Sequence, residues 1–395
     1  MVDPELFARY QKALSTNADL AKGAVEELLA RLDGLTPLEQ AEMLMAEYPK
    51  LVRAYGKVAA DVARQYYQES RDAWYEETDD DVSDYSAQPA HEIEEGWAYE
   101  DIQGSVQSGI GCLPKVAVRR TMQRADETIA LNVRRDSARG RWAVVPHPGA
   151  CGWCILIAGN GWAYSEQSVN AQRHDGCKCA VAVDFDRDKP SLAGYDPRVM
   201  QQAYADAYDT VEGDLQRRWN ALPEDKRAKY LKRGGRGFDG FRRDQIVAEM
   251  NCRDREWLRT GKVPEVVYEK PRSSLTDHER KTVDALQAHG FRVVVKLEDG
   301  SAAANIDLAI GVSNIPWEMK NVGNGKHAVE DRMEDSYHKW TRLGLDPAET
   351  RTVMTSFDAS RDEDLIIADI YRRMYYAAEV LYITRSGGIR RIAKQ

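Results

Sequence analysis

Over most of the first 140 residues, apolar side chains recur every three or four positions, the period of a helix with one buried face. Leu6, Tyr10 and Leu14, and later Leu51, Tyr55 and Val58, carry this period from residue 3 to about 75, with Gly34 and Pro37 interrupting it. A further helix is expected from about Pro114 to Arg139, where Val118, Met122, Ala125, Ile129 and Val133 form one apolar stripe and arginines occupy the other faces. The pattern predicts a core-facing helix with a solvated basic side; the alternative is a basic face that meets an acidic partner or nucleic acid.

Between residues 142 and 185 the helical period is lost, and the chain becomes short-patterned, Gly-rich and cysteine-bearing. Helical periods return over about Pro197–Leu222 and Glu224–Lys232, followed by the glycine-rich run KRGGRGFDGF and a second linker candidate, EKPRSS, at Glu269–Ser274. From Leu275 onward the pattern is mixed. A helix over about Thr276–His289 stops at Gly290, then FRVVVKL, NIDLAIG and IPWEMKN read as strands, and helix, strand, helix and strand follow. The order α-β-β-β-α-β-α-β argues an α/β sandwich. The expected fold is therefore multidomain: a mainly α body at 1–140, a small Cys-rich module at 141–190, a helical linker region at 191–268 and an α/β domain at 269–395.

Length and charge sharpen this division. At 395 residues the chain exceeds one ordinary core, and no run of eighteen apolar residues predicts a membrane span. The start MVDPELFARYQKAL has no basic segment before an apolar stretch, so no secretory signal is expected and synthesis in a cytoplasm is. The net charge of -9 is unevenly placed. From Glu76 to Asp101 there are eleven acidic residues, among them Asp79, Asp80 and Asp81, and no lysine or arginine, a composition expected to form a solvated loop. From Lys270 to the end, nineteen basic and nineteen acidic residues balance.

The cysteines form two close pairs. Cys151 and Cys154 are separated by two residues, Cys177 and Cys179 by one, and His174 lies three positions before Cys177. Brought together, they offer soft ligands in a tetrahedron that suits a structural Zn2+, with His174 able to replace one cysteine. Reduced thiols, or disulfides formed after release from the cell, fit the same spacing. Cys112 and Cys252 stand alone and read as structural. The run RWAVVPHPGACGWCILIAGNGWAYS followed by HDGCKC resembles the conserved module of Mu F-like phage minor head proteins, with its CxxC and HxxCxC signatures. The helical segments LVRAYGKVAADVARQYYQESRDAW and RTMQRADETIALNVRRD extend the resemblance over roughly residues 5 to 190. It implies a minor capsid protein that associates with portal and capsid proteins in the virion head. Proteolysis, a label some relatives carry, is not expected, since neither a G-x-S-x-G elbow nor an H-E-x-x-H pair is present.

The last third carries a different chemistry. Asp307 falls on one predicted strand, and Glu318 and Lys320 on the next, after ten intervening residues with turn-forming Gly311, Ser313 and Asn314. Alternation along a strand places Glu318 and Lys320 on one face, Trp317 and Met319 on the other, and lets Asp307 sit opposite the first pair. Two carboxylates suit Mg2+, and a lysine beside them can orient the attacking water in phosphodiester hydrolysis. This D-x(10)-E-x-K arrangement and element order resemble the PD-(D/E)xK nuclease superfamily, with its restriction-endonuclease-like domain. Within it, residues 275 to 385 are similar to the C-terminal tRNA-nuclease toxins of contact-dependent inhibition systems, which implies a cognate immunity protein. Ile306 stands where many members have proline. Glu279 matches the acidic residue the superfamily often carries on its first helix, but Thr276 and Glu279 also have capping-box spacing. Lys326, Arg332, His338 and Lys339 are candidate phosphate contacts on or near the following helix, where solvated surface is the competing reading.

These features predict a phage minor head protein carrying a metal-dependent nuclease effector, a tRNase or other RNase toxin, delivered with the virion into a target cell. The neutral tail favours a selective RNA substrate over nonspecific duplex binding. The alternatives are a purely structural minor capsid protein whose tail is inactive or only binds nucleic acid, and a secreted polymorphic toxin.

Overall fold

The computed structural model describes residues 1–78, 84–90, 95–163, 173–232, 235–297 and 306–394. The chain divides into two compact units, Met1–Arg198 and Val199–Gln395.

The first unit is a helical body. Helix α1 (Pro4–Ala30) begins where Asp3 accepts hydrogen bonds from the backbone N–H groups of Glu5 and Leu6 at 2.8 and 3.4 Å, with Pro4 at its first position. The chain then forms α2 (Pro37–Thr78), α3 (Glu95–Ser108), α4 (Leu113–Arg135), β1 (Arg141–Val145), α5 (Gly152–Ala158) and β2 (Ala180–Asp184). The long helices α1, α2 and α4 pack against one another, and Leu28, Leu44, Tyr48, Val52, Ile102 and Leu113 belong to one buried cluster between α1 to α4. Strand β1 pairs antiparallel with β2, from Arg141 opposite Asp184 to Val145 opposite Ala180.

Three expectations change here. Val58 is 48% exposed, because α2 turns Val52, Ala59, Ala63 and Tyr66 inward; small alanines that carry little hydrophobic signal allow the close helix approach. The acidic stretch is not one solvated loop: Asp101 lies on α3, is buried, and accepts from Arg120 at 2.7 Å and Arg119 at 3.2 Å. Asp79, Asp80 and Asp81 lie outside the described residues. The same pairs close the basic side of α4, since Arg119 and Arg120 meet Asp101 and Arg124 meets Glu127 at 2.6 Å, so these arginines are spent inside the unit.

The second unit is built on a mixed seven-stranded sheet. Helices α6 (Pro197–Ala221), α7 (Glu224–Leu231), α8 (Gly237–Met250) and α9 (Arg255–Thr260) precede β3 (Val267–Tyr268), α10 (Asp277–Ala288), β4 (Val293–Val295), β5 (Leu308–Ile310), β6 (Ile315–Asn321), α11 (Ala328–Arg342), β7 (Arg351–Thr355), α12 (Glu363–Arg372), β8 (Glu379–Ile383) and β9 (Ile389–Ala393). The strands lie in sequence order, with β6, β7 and β8 parallel and β4, β5 and β6 antiparallel. Alternation splits the core in two. Trp317, Met319, Val353 and Leu381 pack with Val283 and Leu286 of α10, while Val322, Met354, Val380 and Tyr382 pack with Met333 of α11 and Ile366 and Ile370 of α12. The expected element order from α10 to β8 is present, with β3 and β9 added as the two edges.

Buried ion pairs tie the helices of this unit to its sheet. Glu249 on α8 pairs with Arg391 of β9 and lies 3.0 Å from Arg253, whose guanidinium sits 3.6 Å above the Phe291 ring.

Gly290 stops α10 in the left-handed conformation, at φ 77°, and Phe291 N–H donates back to Leu286 at 3.1 Å. A Cβ there would meet Trp257 at 2.2 Å. Gly290→Ala therefore combines positive φ with overpacking and is expected to lower the unfolding free energy by about 2–4 kcal/mol, read as an earlier midpoint in urea.

Candidate functional site

In the first unit the antiparallel pair β1–β2 and the short helix α5 bring the cysteine pairs together. Cys151 caps α5 and Cys154 lies one turn in, with their sulfurs 3.8 Å apart. His174 Nε2 lies 3.2 Å from Cys151 Sγ and 3.0 Å from Cys154 Sγ, and Cys177 Sγ lies 3.5 Å from Cys154 Sγ. Cys154, Cys177 and Cys179 form a second trio that shares Cys154 with the first, and all three are buried. A tetrahedral Zn2+ with Zn–S bonds of about 2.3 Å places its sulfurs about 3.8 Å apart, so the donor set fits a metal such as zinc.

Electrostatics point the same way. Hydrogen bonding with Cys154 and His174 holds the Cys151 thiol down at about 4 against its burial, while Cys154, which shares protons with Cys151 and Cys177, is pushed far up. Thiols this close cannot all ionise unless a cation compensates them. His174 is raised to about 10 by its hydrogen bonds with Cys151 and Cys177, which outweigh burial.

Two residues of this centre carried no motif. Arg173 Nη1 donates to Cys177 Sγ at 3.4 Å, and its Nη2 lies 2.5 Å from Asp126 Oδ1 on α4. Burial pushes the Asp126 carboxyl up to about 6 although Arg173 opposes it. The available signal was a carboxylate on the apolar stripe of α4, adjacent to Ala125, where only a buried counter-charge allows it. Cys112 and Cys252 are free, half-buried thiols outside this cluster.

In the second unit the register of β5 and β6, with Leu308 opposite Trp317, carries Asp307 to the position facing Glu318. Asp307 Oδ2 accepts the backbone N–H of Met319 at 2.8 Å. Glu318 is completely buried, and its Oε1 has no hydrogen-bond partner among the described residues. Lys339, in the last turn of α11, reaches both carboxylates: its Nζ lies 3.1 Å from Asp307 Oδ1 and 2.7 Å from Glu318 Oε2. Burial first, and then the Asp307 charge, raise the Glu318 carboxyl to about 8 against the pull of Lys339. Two carboxyl groups thus share one ammonium, and the rise of Glu318 toward protonation relieves their mutual repulsion at neutral pH.

Lys320 shares the face of Glu318, is half-buried, and forms no ion pair among the described residues. The structure does not add Glu279 to this group. Its Oε2 accepts from Thr276 N at 2.7 Å and Thr276 Oγ1 at 2.8 Å, completing a capping box on α10, which packs against the Trp317 and Met319 face. Of the four candidate phosphate contacts, Lys339 is the one drawn into the carboxylate pair; Arg332 donates to the Asn321 carbonyl at 3.1 Å and His338 lies 3.5 Å from Glu334. The signal for Lys339 lay in its place beside Ser336 and Trp340 on the buried stripe of α11.

The VG15 protein family matches residues 1–207, more than half of the chain. The chain belongs to that family. VG15 is phage-associated, and its match to this member spans the helical body, the Cys/His centre and the first part of α6. Asp307, Glu318 and Lys339 lie beyond it. A solved chain from the "CdiA-CT/CdiI toxin and immunity complex from Burkholderia pseudomallei" is 17% identical, with 32% of this chain and 94% of that chain covered and a TM-score of 0.22. No curated protein matches this VG15 member. Among the described residues no helix is long and apolar enough to cross a membrane.

Because Cys154 joins both trios, Cys154→Ser is expected to strip the metal, whereas Cys112→Ser keeps it. Elemental analysis of the purified full chain should find about one zinc per wild-type chain and less than about a tenth of that in Cys154→Ser.

Proposed function

We propose that this VG15 member is a minor head protein of the Mu F-like kind whose second unit is a metal-dependent nuclease of the PD-(D/E)xK type, acting on RNA, with tRNA the favoured substrate. The observation that carries this reading is the convergence of Asp307 and the buried Glu318 across neighbouring strands, with Lys320, which forms no ion pair among the described residues, on the same face. Family membership supports the phage context and a virion-related role, and the Mu F-like resemblance implies portal and capsid partners. The Cys/His centre is read as a structural zinc site, because five candidate ligands leave no open position for substrate.

The carboxylate pair fits Mg2+: its donors are oxygens, and Glu318 Oε1 is buried without a partner. When bound, the cation neutralises charge on the phosphodiester oxygens. Asp307 is fixed for this task by the Met319 N–H, and Glu318 by its burial in β6. Lys320 then orients the attacking water and stabilises developing negative charge. Glu279, held in its cap, stays outside the reaction. A chain made in a host cytoplasm with such an activity calls for a cognate immunity protein.

Full-length protein incubated with tRNA and with duplex DNA is expected to cut tRNA when Mg2+ is added and not when it is withheld. Glu318→Ala should slow cleavage by about a hundredfold or more. No cleavage by the wild type, or equal cleavage by Glu318→Ala, would leave the tail a structural or binding module.

A further inference from the structure

We propose that Lys339 is the resident cation of the carboxylate site, and that a divalent metal enters only when the Lys339 side chain swings aside. The inference rests on reading Asp307 and Glu318 as a cation-holding pair, and it adds a built-in competitor to that pair.

The geometry is that of two carboxyl groups closing on one ammonium. Lys339 Nζ sits between Asp307 Oδ1 at 3.1 Å and Glu318 Oε2 at 2.7 Å, so the ammonium engages both of the residues that would hold a metal. The other Asp307 oxygen is committed to Met319 N–H. Glu318 Oε1, buried and without a partner among the described residues, shows that the ammonium satisfies the cluster only in part. An ammonium and a divalent cation repel at such range, so both cannot hold the same two oxygens.

The lysine is also placed to leave. It lies in the last turn of α11, whose buried positions Val329, Met333, Ser336 and Trp340 anchor the helix without it. Its four-carbon stem can rotate while the helix stays, and its side chain is already 17% exposed. Asp335, one turn earlier, 57% exposed and loosely paired with Arg332 at 3.6 Å, offers the displaced ammonium a second carboxylate to share. The site is thus held closed at low metal concentration and becomes competent as metal replaces the lysine.

Mn2+ is the probe, because it prefers oxygen donors and reports its free concentration by electron paramagnetic resonance; the full chain is first saturated with zinc to fill the cysteine centre. Lys339→Met is expected to bind one Mn2+ at least tenfold more tightly than the wild type, Lys339→Arg no more tightly than the wild type, and Lys339→Met combined with Glu318→Gln to lose the site. Equal or weaker binding by Lys339→Met overturns the proposal. A second measurement needs no variant: acylation of the Lys339 amine in the wild type, followed by peptide mass spectrometry, should rise several-fold when Mn2+ is added, and unchanged labelling also overturns it. If the Mn2+ pattern is found but RNA stays intact, the nuclease reading fails while the resident-cation inference stands.

Discussion

A carboxylate removed from water has to find positive charge, and in the second unit that requirement fixes both fold and site. Glu318 is completely buried in β6, and the β5–β6 register places Asp307 beside it, which makes the need for a cation greater. Lys339 meets it only if α11 lies across β6 on the face opposite α10. A one-residue slip of β5 would send Asp307 to the other face and expose Leu308 in exchange, so hydrophobic burial and charge pairing select the same register. Among the described residues the arrangement leaves Glu318 Oε1 without a hydrogen-bond partner.

The first unit obeys the same constraint with other residues. Arg71 and Asp136, both buried, meet at 2.7 Å between α2 and the end of α4, and Tyr67 donates to the same carboxylate at 3.1 Å. Asp126 and Arg173 join α4 to the cysteine loop, and Asp101 with Arg120 joins α3 to α4. Each pair links segments far apart in sequence, and removing one partner leaves a buried charge at a cost of about 3–5 kcal/mol. Such pairs add little net stability over apolar contacts, and their cost is felt when one partner is lost.

What could be read from the sequence follows from how local each signal is. Helices α1, α2, α4, α6 and α7 and the alternation of helices and strands from α10 to β8 announce themselves through period, cap and stop residues, as Thr276 with Glu279 and Gly290 do for α10. The spacing of Cys151, Cys154, His174, Cys177 and Cys179 foretold a cluster because ligands on tight turns keep their separations when folded. Asp307 and Glu318 were legible because antiparallel register is itself a local rule. Arg173 with Asp126 and Lys339 with Glu318 were not, since they join elements 47 and 21 residues apart whose crossing no local pattern specifies. Helix α3 was hidden for a related reason: its acidic composition signals solvent until Arg119 and Arg120 are brought to Asp101.

The two candidate metal sites differ in the cations their donors suit. Divalent zinc outranks magnesium for almost any donor set, so a carboxylate pair alone would be vulnerable to capture by the wrong metal. Thiolates and an imidazole in the first unit are far softer than the oxygens of Asp307 and Glu318, and are the donors that suit zinc. Arg173 beside Cys177 favours the thiolate form and so deepens that preference. On the proposed reading the carboxylate pair would be left to hard cations, with Lys339 as their competitor. Selectivity of this kind would rest on the difference in donor type between the two sites, soft sulfur and nitrogen in one and hard oxygen in the other.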